Sequence, residues 1–358
     1  MAIDLRQKKN TGFKLLLPLL MFLVFLTIIM IGGFIFYQNQ KKQVYNEARN
    51  QLSVIARLKA DQIVQWRKEK IDNAGILSNN PALAKEAKEF LDNSNNNSAR
   101  ENLLHLFKFL VENHKYHSIV LFDAKGKPRL AYPASDSAIG PGVIENFHTA
   151  MSSGKTLLTD LHKSANRQVH LDLLTPLVFP AGNGSAPIGL ILMRVDPNNL
   201  LFPLISTWPV SSKTAETLLV RFDKDTVVYL NDLRHRNNSA LNFHLPVSDT
   251  ALPSSMAARG IEGTVLGKDY RKVPVLATIY RIPDSPWVMI AKIDLDEINS
   301  PLHRQMIAIV AFVGILIAFA ASLIWIWRRS LLLNSLKEKI ESEISKLVLD
   351  IGTIGLSL

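Results

Sequence analysis

A chain of 358 residues, 47% hydrophobic and 20% charged, leaves room for two or three domains. It contains no cysteine, which excludes disulfides and thiolate metal sites; a fold of this size buries an adequate core without them. Its formal charge of +10 is concentrated in good part beside two apolar blocks, and no Lys/Arg block interleaves with aromatics, so the composition argues against a nucleic-acid partner.

The first apolar block, Leu15 to Tyr37, carries no charged residue and exceeds the roughly 20 residues that cross a bilayer as a helix. Arg6, Lys8, Lys9 and Lys14 precede it. The run is longer than the roughly 7–15-residue apolar centre of a signal peptide, and no small-x-small site follows, so an uncleaved anchor is expected. From Gln38 to about Asn79 a helix is predicted. Val44, Ala48, Leu52, Ile55, Ile63 and Trp66 fall mostly at steps of three and four, and no proline or glycine intervenes before Gly75. At about 1.5 Å per residue it would extend the membrane helix outward by roughly 60 Å. "NNPAL" breaks it, and Pro81 starts a short second helix. "LDNSNNNSAR" is a polar loop, and Ala99 to Asn113 is helical again, with Leu103, Leu106, Phe107 and Leu110 on one stripe.

The pattern then changes from helix to strand. "SIVLFDAKGKPRLAYP" reads as a hairpin around a Lys-Gly turn. Val143 to Met151 reads as a short helix, and "TLLTDLH" and "VHLDLLTPLVFP" as strands. "AGNGSAP" is a turn, "IGLILMRVD" an apolar strand, and "PNNLLFPLISTWP" a connecting helix. A second, similar series follows: "ETLLVRFD" and "TVVYLND" around a Lys-Asp turn, then "GTVLGKDY", "VPVLATIYRIP" and "PWVMIAKID". Trp66, Trp208 and Trp287 are expected in cores.

Met306 to Trp327 is the second uncharged apolar block. Arg328, Arg329, Lys337 and Lys339 follow it, and Trp325 and Trp327 sit at its boundary. Basic flanks outside both blocks place both termini in the cytoplasm and the long middle region outside. In the tail, Leu333, Leu336, Ile340, Leu347 and Ile351 keep heptad-compatible spacing, with Ile344 beside the seam. The pattern suits a short parallel coiled coil or an amphipathic helix on the inner leaflet.

The strings "ARLKADQIVQWRKEKIDNAGILSNNP", "LLTDLHKS", "HLDLLTPLVFPAG", "TAETLLVRFDKDTVVYLNDLRHR" and "KDYRKVPVLATIYRIPDSPWVMIAKID", between two membrane segments, resemble a double Cache domain. That is a PAS-like extracytoplasmic sensor of bacterial histidine kinases, diguanylate cyclases and chemoreceptors. The resemblance implies an α+β fold: a long N-terminal helix with two PAS-like (Cache) modules of antiparallel sheet, flanked by two transmembrane helices. The divisions expected are 1–14 cytoplasmic, 15–37 membrane, 38–305 periplasmic sensor, 306–327 membrane and 328–358 a cytoplasmic signalling helix. Within the sensor a distal module spans about 80–195 and a membrane-proximal module about 210–295. The aromatic-and-arginine motif of the amino-acid-binding Cache class, around Tyr-x-x-x-Arg-x-Trp, is not present, which argues against an amino-acid ligand. Kinase or cyclase motifs do not follow the second block, so the chain reads as the input half of a receptor. Its output module is then truncated, or a separate cytoplasmic protein supplies it.

In the strand "VHLDLLTP", His170 and Asp172 share one face and Leu171 and Leu173 the other. Asp160 and His162 form a similar pair in "LLTDLHKS". With Arg129, Tyr132 and Arg167 from the hairpin and loop, they are the candidate ligand-binding residues. A polar organic ligand, an anion held by Arg and His, suits them. Solvated faces with internal hydrogen bonds suit them too, and two His with two Asp also have the chemistry of a zinc site. No metal or other cofactor is expected. "YLNDLRHR" clusters Asn231, Asp232, Arg234, His235 and Arg236 as a polar turn, a second site or a dimer contact. G-x-S-x-G, H-E-x-x-H and P-loop strings do not occur, so no enzymatic activity is expected. The reading is a homodimeric inner-membrane receptor subunit that senses a small periplasmic ligand, with a doubly anchored periplasmic scaffold as the alternative.

Overall fold

The computed structural model describes residues 2–134, 141–164, 167–181 and 184–355, with only the backbone at 2–19, 141, 180–181, 184–186 and 347–355. It divides into two units, Met1–Val44 with Asn299–Leu358, and Tyr45–Ile298.

The first unit is helical. Helix α1 (Ala2–Ser78) begins in it and helix α7 (Leu295–Gly355) ends in it. Each contains an apolar stretch long enough to cross a membrane, with none of that stretch buried. Phe25, Met30 and Phe34 on α1, and Val310, Phe312 and Phe319 on α7, are exposed. Each such side chain left in water forfeits about 1.5–3 kcal/mol, so these stretches favour an apolar environment. Further along α7, Leu333, Leu336, Ile340 and Ile344 are also exposed; Leu347 and Ile351 fall where only the backbone is described.

In the second unit, α1 buries Leu52, Ile55, Ala56, Ala60, Ile63, Trp66 and Ala74, the helical repeat of one apolar stripe. Ala56 and Ala60 are fully buried, small enough to let neighbouring chain pack close to the helix. The Asn80 side chain accepts from Ala82 N and Leu83 N and, with Pro81 at the first turn, starts α2 (Pro81–Asp92). Helix α3 (Asn97–His114) is capped by Asn96 and stops at Lys115, whose φ is +57°.

Two antiparallel sheets follow. The first contains β1 (Tyr116–Asp123), β2 (Pro128–Tyr132), β3 (Leu157–Leu158), β4 (His162–Lys163), β5 (Val169–Ala181) and β6 (Gly184–Val195). Its order is β2-β1-β6-β5-β3, with β4 also on β5. The second contains β7 (Glu216–Asp223), β8 (Thr226–Tyr229), β9 (His244–Pro246), β10 (Gly263–Lys268), β11 (Pro274–Arg281) and β12 (Val288–Asp294), in the order β10-β11-β12-β7-β8-β9. Hairpin, last strand and penultimate strand thus occupy the same places in both, so the repetition of elements along the chain is a repetition of topology.

Helix α4 (Pro141–Ser153) covers one face of the first sheet, where Phe147 and Ala150 pack on Val120, Phe122, Leu174, Leu190 and Leu192. In the second sheet, Val220, Tyr229, Val275, Ala277 and Ile290 pack with Ala257 of α6 (Pro253–Ala258). A 3-10 turn (Pro197–Asn199) and α5 (Leu201–Ser206) connect the sheets.

Four expectations change. "TLLTDLH" is not one strand: only β3 and β4 pair with β5, because the Thr159 hydroxyl takes the Asp172 N–H at 2.9 Å in place of a ladder carbonyl. The "AGNGSAP" turn shrinks, since β5 runs to Ala181 and β6 begins at Gly184; 182–183 lie outside the described residues. Trp208 lies on the connector after α5 and stays half-buried, whereas Trp66 and Trp287 are core residues. Strand β9 and helix α6 arise between "TVVYLND" and "GTVLGKDY", where the sequence suggests no element and the six-residue α6 is too short to show a period.

Candidate functional site

Alternation along β5 sends His170, Asp172 and Leu174 to one face, and register sets Asp172 opposite Arg194 of β6. Arg194 Nε donates to Asp172 Oδ1 at 3.1 Å, and both side chains are fully buried. Across β4, His162 Nε2 lies 3.1 Å from the other oxygen, Oδ2. His162 Nδ1 faces the Asp160 carbonyl at 3.0 Å. A carbonyl can only accept, so Nδ1 carries a proton, and a second proton on Nε2 suits the carboxylate. Burial acts to lower the His162 pKa, but the Asp172 carboxylate outweighs it and holds the ring above its ordinary value. Burial likewise acts to raise Asp172, and His162 and Arg194 hold it below the usual carboxylate range. Two cationic side chains thus bracket one buried carboxylate, with Arg194 buried beside it and His162 partly exposed.

Asp160 does different work. Its Oδ2 accepts from Arg221 Nη1 of β7 at 2.6 Å, and its Oδ1 from Trp287 Nε1 and from Leu161 N, each at 2.7 Å. Arg221 Nη1 also donates to the Leu161 carbonyl at 2.9 Å. The connection between β3 and β4 is thereby fastened to β7 and to the residue just before β12.

His170 Nε2 is 3.1 Å from Ser164 Oγ, and its ring centroid lies 5.2 Å from that of His117. His170 and Arg167 line a cavity of about 300 Å³. Lys163 and His117 also line it from the side of the first sheet, and Asn238 and Asn242 from the loop after β8. Lys163 Nζ donates to Asn242 Oδ1 across this space.

The fold therefore brings Asp160, His162, Arg167, His170 and Asp172 to one region where the two sheets meet. Arg129 and Tyr132 are not part of it: they lie on β2, the opposite edge of the first sheet. Arg129 Nη1 pairs with Asp123 Oδ2 at 3.2 Å and its other nitrogen reaches Ser94. Nor do the two Asp and two His converge as a zinc site. The carboxylates turn to Arg194 and Arg221, and no metal-binding group of His, Asp or Glu occurs among the described residues. The "YLNDLRHR" stretch is a polar turn held by side-chain-to-backbone bonds. Asn231 Oδ1 accepts from Leu219 N at 2.7 Å, Asp232 Oδ1 from Ser239 N at 2.7 Å, and Arg234 Nη1 donates to the Ala215 carbonyl at 2.7 Å.

Arg194, Arg221, Trp287, His117 and Lys163 escape sequence reasoning. Arg194 alone carries a local signal, a single charge inside the apolar strand "LILMRV", since a buried cation needs a partner.

The family model described as Cache domain matches residues 36–302. No curated protein matches the chain. Solved structures similar to it include the ligand-binding domain of a Campylobacter jejuni chemoreceptor in complex with L-valine, at 12% identity and TM-score 0.49, covering 72% of this chain and 97% of that one. A Pseudomonas aeruginosa amino acid chemoreceptor domain with L-glutamine shows 15% identity and TM-score 0.47, covering 73% and 97%. A Pseudomonas fluorescens chemoreceptor domain with L-serine shows 16% and 0.45, covering 70% and 99%.

Proposed function

The chain belongs to the Cache-domain family, and from that premise we propose that it is a membrane-anchored receptor subunit reading a small extracytoplasmic ligand. One observation carries the reading: the Cache match, 36–302, is bracketed by the two exposed apolar stretches of α1 and α7. A sensor domain tied at both ends to membrane-crossing helices converts a change outside into a change inside. The basic flanks Arg6, Lys8, Lys9, Lys14, Arg328 and Arg329 support cytoplasmic termini in a bacterial inner membrane, with the sensor in the periplasm.

The ligand is a small polar molecule that meets Arg167 and His170 at the cavity wall, while His162, Asp172 and Asp160 hold the wall in place. Binding favours one of two arrangements of the sensor by its difference in affinity for them. The exit is α7, which starts directly after β12. Glu297 in its first turn accepts from Ser212 Oγ at 2.9 Å and Thr214 N at 2.8 Å, so the helix start is fastened to the segment that leads into β7. The apolar seam of Leu333, Leu336 and Ile340 pairs with a second copy and passes the signal to a cytoplasmic output unit.

The test uses the full chain in lipid nanodiscs, with single cysteines placed beside Arg328. A ligand found by thermal shift should change the rate of disulfide crosslinking between copies. Rates that stay constant across all bound ligands overturn the signalling reading. Reporter fusions that place 38–305 in the cytoplasm overturn the topology.

A further inference from the structure

We infer that the cavity between the two sheets is the ligand site, and that it takes a small carboxylate gripped by Lys163 and Arg167 on one wall and by the amides of Asn238 and Asn242 on the other. This rests on the sensor reading and deepens it: the site belongs to neither sheet alone.

Charge comes first. The wall on the side of the first sheet presents Lys163 and Arg167, with His117 and His170 beside them. Two carboxylates also line the cavity, Asp196 and Asp232, but both are turned to their own backbone. Asp196 Oδ1 accepts from Asn198 N at 2.9 Å, and Asp232 Oδ1 from Ser239 N at 2.7 Å and Ala240 N at 3.0 Å. One oxygen of each aspartate is thus committed to backbone N–H groups, and among the described residues no ion pair joins either aspartate to Lys163 or Arg167, so both cations are open to an anion. Such a wall favours an anion.

Placement comes second. Lys163 Nζ spends a hydrogen bond on the neutral Asn242 carbonyl across the cleft. A carboxylate inserted there would replace a neutral acceptor with a charged one and turn the contact into an ion pair. The released Asn242 side chain can then donate to a second carboxylate or hydroxyl of the same ligand. Asn242 Nδ2 bonds the backbone carbonyl of Asn238 at 3.0 Å, which ties the Asn242 side chain to the loop that carries Asn238.

Size comes third. At about 30 Å³ per water, a cavity of about 300 Å³ holds roughly ten non-hydrogen atoms. That fits a four- to six-carbon di- or tricarboxylate. A ligand held from both walls would draw the sheets together beside the Asp160 tie to Arg221 and Trp287, which gives binding a mechanical consequence.

The experiment is calorimetry on the full chain in nanodiscs with succinate, malate and citrate, the neutral succinamide and the diamine putrescine, alongside free amino acids and neutral sugars. At least one carboxylate should bind, and its neutral or cationic counterpart should not. Arg167→Glu and Asn242→Asp, one from each wall, should each weaken binding at least tenfold. Lys125→Glu, on an exposed hairpin turn, should leave it unchanged. Carboxylate binding that survives both wall substitutions overturns this site and leaves the sensor reading standing. Binding of amino acids, sugars or putrescine in place of the carboxylates overturns the anion class. Silence towards every probe overturns the proposal and counts against the sensor reading as well.

Discussion

Trp287 at the entrance to β12 donates its indole Nε1–H to the carboxylate of Asp160 in the β3–β4 connection, at 2.7 Å and across 127 positions of sequence. The other oxygen of Asp160 holds Arg221, so one side chain joins the β3–β4 connection to β7 and to the entrance of β12. Asp160→Ala would leave a buried indole N–H without its acceptor. Loss of such a bond costs about 1–3 kcal/mol, and the ion pair adds little because both partners are partly exposed. Thermal unfolding of the full chain should show that loss, with Asp160→Asn intermediate because it retains an acceptor for Trp287.

Arg194 and Lys292 hold the same position in the repeated last strands, each two residues before an aspartate, and both are 1% exposed. Arg194 pairs with Asp172 on one neighbouring strand. Lys292 pairs with Glu216 on the other at 3.0 Å and with Asp269 at 2.8 Å. Breaking a buried pair strands its partner, at about 3–5 kcal/mol. Arg194→Met should therefore be severe in denaturant titration, and the double change Arg194→Met with Asp172→Leu should be milder than the single one.

The His162–Asp172 pair sets a pH window. The His162 pKa is raised by folding, so its stabilisation is complete below the ordinary histidine value of about 6.5 and is lost as pH climbs through the higher folded value. Asp172 is depressed, so its share is present above the ordinary value near 3.8 and is lost as pH falls through the lower folded value. Unfolding temperature against pH should show this pair's contribution as a plateau between about pH 4 and 6.5. His162→Gln should flatten the alkaline slope and weaken the acid slope, which Arg194 then sustains; an unchanged alkaline slope would remove His162 from the account.

Lys59 on α1 reaches the end of α5, where Nζ donates to the carbonyls of Leu204 at 2.6 Å, Ile205 at 3.1 Å and Thr207 at 2.5 Å. Burial pushes its pKa down to about 8, so the ammonium with its three donors persists near neutral pH. Lys59→Met keeps the apolar stem and removes the donors. It should destabilise by about 1–3 kcal/mol, and hydrogen exchange should show the amides of α5 opening more readily.

Sequence alone determined the elements whose signal is local. Two uncharged runs longer than a bilayer's span mark the stretches apolar enough to cross a membrane, and steps of three and four from Val44 to Trp66 mark the long helix. The parallel between "SIVLFDAKGKPRLAY" and "TLLVRFDKDTVVYL" marks the repeated sheets. Each depends only on neighbours within a turn or a hairpin, where backbone geometry sets the period. Tertiary structure decided the rest. The alternation that put His170 and Asp172 on one face said nothing of the strand beyond, and only the register of β5 on β6 brings Arg194 to Asp172. Arg129 and Tyr132 look like neighbours of that cluster along the chain, yet strand order carries them to the far edge. The bond between Asp160 and Trp287, and a cavity lined by Arg167 and Asn242, exist because two sheets meet. Which surfaces meet is set by packing between distant segments, and no local period records it.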